Sequence, residues 1–173
     1  MNLLETLQER ELVHQFTPGL EKALAENKKI VGYVGFDPTA KSLHVGNLVA
    51  IMLLKHLQMC GHTPIILVGG ATGMIGDPSG KKNERQFLSE EILRENQESI
   101  KNQLSRFLDF FGDNSAIIVN NYDWTKDFTL IDFLRTVGKN VTVNSMMNRD
   151  SVKNRIDDED KSISFTEFSY QLL

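Results

Sequence analysis

Apolar residues recur along this chain at two spacings, and the two alternate. Residues 3–16 carry apolar side chains at helical intervals and predict a short amphipathic helix. Thr17 and Pro18 give the start signal of a second helix, which reaches about Asn27, because a prolyl ring suits the first helical position. Residues 30–36 (IVGYVGF) form a short apolar run with strand character, and residues 37–42 predict a loop. Residues 44–59 are apolar nearly all round, the pattern of a buried helix. Residues 65–68 predict a second buried strand, followed by the glycine-rich GGATGMIGDPSG. Ser89 predicts the cap of a long helix, with Glu90 and Glu91 favourable at its positive end. Beyond it, Ile100, Leu104, Phe107, Leu108 and Phe111 fall on one helical face. Residues 116–119 predict a third strand. Thr129 and Asp132 look like a capping box for a helix to Val137. Residues 141–155 predict a helix broken near Asn148, and a last helix begins at Ser164 with no stop signal after it.

Short apolar strands alternating with helices predict an α/β fold, a parallel sheet wrapped by helices. In such folds ligands bind beyond the carboxyl ends of the strands. The chemistry-bearing residues are therefore sought after Phe36, Val68 and Val119.

Composition narrows the class. The chain has 173 residues, is 40% hydrophobic and carries a formal net charge of -4. That length suits one domain of ordinary size, and the composition excludes wholesale disorder. The longest apolar run, residues 48–54, is seven residues long, far short of the roughly 20 needed to span a bilayer, so no membrane partner is expected. The polar, charged opening of the chain predicts no signal peptide. A single cysteine, Cys60, cannot form an internal disulfide, and a cytoplasmic location is expected. The mild acidity argues against a protein that coats nucleic acid.

Three stretches carry chemistry. In the first, a strand ends at Phe36, a loop turns, and a helix begins at His44-Val45-Gly46-Asn47. A helix start has unpaired N–H groups and the positive end of a dipole, so it is a ready anion site. His44 adds a donor, and Gly46 allows close approach of a flat ligand. Read alone, this is also what any helix start containing a histidine would look like. The second stretch is the glycine-rich run with Asp77, Lys81, Lys82 and Arg85. It lacks the Gly-Lys-Ser/Thr ending of a phosphate loop and by itself reads as a mobile basic turn. Lys81 and Arg85 share a face if helical. The third is Asn120-Asn121-Tyr122-Asp123-Trp124 at a strand end, in which Asp123 and Trp124 read as structural.

GFDPTA followed by SLHVGN resembles the ATP signature of class I aminoacyl-tRNA synthetases. With GGATGMIGDPSGK, NNYDW and SFTEFSYQLL, the chain is similar to bacterial tyrosyl-tRNA synthetases over nearly its whole length. The resemblance implies a Rossmann-like catalytic domain that joins L-tyrosine to ATP, supplied with Mg2+, and passes the product to tRNA(Tyr). Tyr33 is then expected at the substrate phenol, Thr72, Asp77, Asn121 and Tyr170 around the tyrosine, and Gly35, Asp37, Gly46 and Asn47 at ATP. Thr39, His44, Lys81 and Arg85 are expected to stabilise the leaving pyrophosphate. Phe165 resembles an aromatic residue of a homodimer interface.

Two positions depart from the family pattern. Asn47 stands where the family has its second histidine, and its amide can still donate one hydrogen bond. Val34 stands where many relatives place a ribose-contacting cysteine, so that contact is absent. Asn47 also raises a tryptophanyl-type synthetase as a rival. Another His-x-Gly nucleotidylyltransferase and a non-catalytic interaction domain are the remaining alternatives. The family's later helix end and mobile lysine-rich loop are not in these 173 residues. The chain is therefore expected to be the N-terminal part of the catalytic domain, without the anticodon-binding and C-terminal tRNA-binding parts, and inactive alone. No metal site is expected: His14, His56 and His62 lack ligand spacing. The acidic run 157–160 reads as a solvated loop, and Cys60 as inert.

Overall fold

The computed structural model describes residues 2–26, 29–75, 89–149, 152–153 and 163–173. The chain forms two compact units, Met1–Val68 with Glu95–Val119, and Gly69–Arg94 with Asn120–Leu173.

The first unit is built on a parallel sheet. Strands β1 (Val31–Phe36), β2 (Thr63–Val68) and β3 (Ile117–Asn120) lie in that order, with Tyr33 opposite Ile65 and Phe36 opposite Val68. Helix α3 (Val45–Met59) connects β1 to β2 and packs against both. Helices α1 (Leu3–Glu9) and α2 (Leu20–Ala25) precede the sheet, and α1 packs on α3. Helix α5 (Glu90–Leu104) supplies Ile100 and Leu104, which with Leu108 join Phe36, Ile51, Leu54, Ile66 and Val68 in the core. This α/β arrangement is the one the alternating pattern predicts.

Several boundaries differ from the sequence expectation. Helix α1 stops at Glu9 instead of continuing to Phe16, because Glu11 adopts φ +56° and the Leu12 N–H bonds back to the Leu7 carbonyl. That backbone reversal is a helix stop normally given to glycine, and a glutamate gives no sequence warning of it. Helix α2 starts at Leu20 after Gly19, not at Pro18, since Gly19 in the left-handed region occupies the cap position. Helix α3 is buried on one face only, through Ile51, Leu54, Leu57 and Gln58, while Val45 and Val49 are exposed. Its uniform apolar character is therefore not a sign of full burial. Helix α5 ends at Leu104, and Phe111, beyond it, is exposed rather than on the core face. Ser89 does accept the Ile92 N–H, as its cap role predicts.

A polar plug closes the lower part of the first unit. Gln58, buried in α3, accepts the Asp109 N–H at 3.0 Å and donates to the carbonyls of Asp109 at 2.7 Å and Asn114 at 3.1 Å. Asn114 returns a bond to the Gln58 carbonyl at 2.7 Å. Buried amides persist when each polar atom is satisfied in this way.

The second unit is helical among the described residues. It contains α4 (Gly70–Ile75), α6 (Tyr122–Thr125), α7 (Leu130–Thr136), α8 (Val143–Met147) and α9 (Phe165–Ser169). Thr129 caps α7 by accepting the Asp132 N–H at 3.2 Å. Asn148 ends α8, where the break is predicted. Ser164 and Glu167 cap α9 reciprocally, and a 3-10 turn, Tyr170–Leu172, follows.

Candidate functional site

The first unit holds the strand-to-helix corner. Strand β1 alternates in burial: Val31, Tyr33 and Gly35 face outward, while Phe36 is buried. Tyr33 is 70% exposed, so its phenol is presented rather than packed. A side chain at position 35 would meet only open space, so Gly35 leaves room above the strand end. Asp37 is half-buried and Thr39 exposed, and the Thr39 N–H donates to the Asp37 carbonyl at 2.9 Å, which turns the loop.

His44 caps α3 through a reciprocal pair of bonds. Its Nδ1 accepts the Gly46 N–H at 3.1 Å, and the Asn47 Oδ1 accepts the His44 N–H at 3.0 Å. Histidine and asparagine here perform the box that serine and glutamate usually form. An imidazole that accepts at Nδ1 carries its proton at Nε2 when neutral. His44 therefore offers an N–H to an incoming acceptor, at the exposed, positive end of a 15-residue helix. Asn47 spends its oxygen on the cap, leaving its NH₂ as the donor. Gly46 has a reason beyond ligand access: a Cβ there would lie 2.9 Å from the His44 ring carbon Cε1. A side chain at position 46 would therefore require the His44 ring to shift from its capping position.

In the second unit, Asn120, the last residue of β3, and Asn121 after it grip the start of α4. Asn120 Oδ1 accepts the N–H of Gly70 at 3.1 Å and of Tyr122 at 2.9 Å. Asn121 Oδ1 accepts the Ala71 N–H at 2.8 Å, and its Nδ2 donates to Thr72 Oγ1 at 3.4 Å. Thr72 and Asn121 are buried, so the structure brings these two expected tyrosine-site residues together. Tyr170 is half-buried at the start of the 3-10 turn after α9, and Phe165 is 80% exposed on that helix. Asp77, Lys81, Lys82 and Arg85, and the acidic run 157–160, lie outside the described residues.

Three residues that hold these elements escape the sequence reading. Asn120 stands beside Asn121 with no sequence feature to distinguish its role. Asn96 and Gln103 on α5 bond the loop that carries Thr39; a polar residue interrupting an apolar helical stripe is the signal that finds Asn96. Of the features set aside, burial raises the Cys60 thiol pKa above its ordinary value, which keeps it protonated and unreactive. His62 accepts the Ile30 N–H at 3.4 Å through Nδ1, and burial lowers its pKa. No helix among the described residues is long and apolar enough to cross a membrane.

Comparison with known proteins adds a second line. The profile of tRNA synthetases class I (W and Y) matches residues 25–173. The chain is 57% identical over 176 aligned residues to a tyrosine–tRNA ligase of Bacteroides fragilis, covering all of this chain and 41% of that protein. It is 58% identical over 174 residues to the tyrosine–tRNA ligase of Flavobacterium johnsoniae, covering 99% of this chain and 40% of the other. It also superimposes on a C-terminally truncated Aspergillus nidulans mitochondrial tyrosyl-tRNA synthetase with a TM-score of 0.85 and 30% identity, over 99% of this chain and 51% of that structure. The chain thus spans about two fifths of the length of the curated relatives it matches.

Proposed function

Because the chain belongs to the class I tRNA synthetases of the tryptophan and tyrosine type, we propose that it is the N-terminal part of the catalytic domain of a tyrosine–tRNA ligase. The observation that carries this reading is the reciprocal cap at His44, which aims an Nε2–H outward from the positive end of α3 beside the carboxyl end of β1. In the reaction, a carboxylate oxygen of tyrosine attacks the α-phosphorus of ATP. One P–O bond forms, the bond to the bridging oxygen breaks, and pyrophosphate leaves with the electron pair. That chemistry needs alignment and positive charge on the phosphates more than it needs a base. Thr39, His44 and the α3 tip supply donors on the phosphate side, with Lys81 and Arg85 as further cations, and Asp37, Gly46 and Asn47 attend the nucleoside. By the family resemblance, Tyr33, Thr72, Asp77, Asn121 and Tyr170 are assigned to tyrosine, and polar groups paired with a substrate hydroxyl reject phenylalanine. Magnesium enters with the triphosphate as part of the substrate.

The remaining steps belong to the whole protein. The activated tyrosine passes to tRNA(Tyr), and the ligase works in the cytoplasm as a homodimer. Exposed Phe165, Leu130, Ile131 and Val143 in the second unit support such an interface. The 173-residue chain by itself is expected to bind tyrosine and ATP weakly and to turn over little.

Asn47 favours one rival, the tryptophanyl type. ATP–pyrophosphate exchange by the full-length gene product separates the two: tyrosine-dependent exchange is expected. Exchange that depends on tryptophan overturns the tyrosine assignment. Exchange that depends on a different acid points to another nucleotidylyltransferase. No exchange at all, with an intact fold and no thermal shift on adding tyrosine and ATP, leaves a non-catalytic interaction domain.

A further inference from the structure

The loop 37–43 carries Thr39 and delivers the chain to His44, and helix α5 holds it from one side. Asn96 is 2% exposed, and its Nδ2 donates to the Pro38 carbonyl at 2.8 Å. Seven residues on, two helical turns along the same stripe, Gln103 Oε1 accepts the Leu43 N–H at 3.0 Å. The Gln103 Nε2 faces the Lys41 carbonyl at 3.4 Å. Lys41 and Glu95 add an exposed ion pair at 3.1 Å, which contributes little by itself. Ile100, between the two amides, and Leu104, next to Gln103, are anchored in the core. The loop backbone is thus fixed at both ends by amides that stand on a rigid, packed helix.

We propose that Asn96 and Gln103 are positioning residues for the triphosphate site: they touch no substrate but hold the loop so that Thr39 and the His44 cap stay aligned. Asn96 fixes the loop entry at Pro38, and Gln103 fixes its exit one residue before His44. A proline carbonyl and the N–H before a helix cap are backbone groups that nothing else on the loop satisfies locally, so the helix amides determine where the loop sits. The consequence for activity rests on the ligase reading above. The consequence for loop order does not.

The experiment uses the full-length gene product with Gln103→Leu, Gln103→Glu and Asn96→Ala. Gln103→Leu removes both bonds at a half-buried site where folding is not at stake. Gln103→Glu keeps the acceptor for Leu43. Tyrosine-dependent ATP–pyrophosphate exchange is expected to fall about 10- to 100-fold in kcat/KM for ATP in Gln103→Leu and Asn96→Ala. The KM for tyrosine stays within about twofold, and Gln103→Glu recovers most of the loss. Hydrogen exchange at the Leu43 amide is read in parallel: slow in the parent and in Gln103→Glu, fast in Gln103→Leu. Parent-like ATP kinetics in a folded Gln103→Leu overturns the proposal, as does an unchanged Leu43 exchange rate. An equal loss for ATP and tyrosine overturns it too, since that is general loosening. A parent protein without tyrosine-dependent exchange defeats the ligase reading alone, and Leu43 exchange then decides the loop clamp by itself.

Discussion

The Asn120 carboxamide oxygen sits 3.1 Å from the Gly70 nitrogen, and a Cβ at position 70 would overlap it. The two positions are therefore coupled. Gly70→Ala is expected to destabilise by about 2–4 kcal/mol in the parent, because overpacking against a bonded amide leaves no outlet. In an Asn120→Ala background the same change costs at least about 1 kcal/mol less, since the obstructing group is gone. A double-mutant cycle by urea unfolding measures this, and strict additivity would refute it.

Gln58 makes its contacts to residues about fifty positions away in sequence, at Asp109 and Asn114. Gln58→Met preserves volume but leaves the part-buried Asp109 N–H and two carbonyls without this partner. A loss of about 2–4 kcal/mol is expected, well above the cost of a volume-conserving swap. Chemical denaturation reads it directly.

On the ligase reading, His44 serves two purposes that substitution separates. Asparagine is a good helix cap, so His44→Asn keeps stability within about 0.5 kcal/mol, whereas His44→Ala loses about 1 kcal/mol. Both variants remove the Nε2 donor and are expected to lower pyrophosphate exchange about 100-fold. Thermal melts and exchange rates on the same samples check the split.

Tyr33 is exposed on the outer face of β1. Tyr33→Phe is accordingly expected to leave stability within about 0.5 kcal/mol. On the ligase reading its effect is expected to fall on tyrosine, whose KM rises about tenfold as one hydrogen bond to the phenol is lost, while the KM for ATP stays the same. Steady-state kinetics with each substrate varied in turn tests this.

His62 gives a pH dependence with a definite sign. Burial lowers its pKa in the folded state below the ordinary 6.5, so the unfolded chain binds the extra proton first. Its contribution is complete above pH 6.5 and is lost as pH falls through that value toward the folded pKa. Melting temperature is expected to drop between pH 7.5 and 5.5, and His62→Gln to flatten that part of the profile.

The fold is legible in the sequence wherever a side chain advertises its own geometry. Thr129 and Ser89 cap the helices they are expected to cap, a helix follows Ser164 as expected, and VGYVGF and the run at 65–68 lie in strands. The reading fails where geometry is set by distant partners. Nothing near Glu11 announces a left-handed helix stop, and nothing in 44–59 reveals which apolar positions stay exposed. The candidate site divides the same way. His44, Gly46 and Asn47 form one local motif whose place at a helix start is legible, while the reciprocal cap between His44 and Asn47 is seen only in the folded chain. Asn96 and Asn120 act on backbone 58 and 50 positions away, so only the folded chain displays their role.

The first unit is not contiguous in sequence: Met1–Val68 closes only with Glu95–Val119. On a ribosome, β1, α3 and β2 emerge with one apolar side uncovered and must wait for Ile100, Leu104 and Leu108 to follow. At synthesis rates of about 5–20 residues per second, that interval lasts roughly 3–10 s. Nascent chains stalled between positions 68 and 119 should therefore be the ones that recruit a chaperone most strongly, a vulnerability written into the order of the segments and invisible once synthesis is complete.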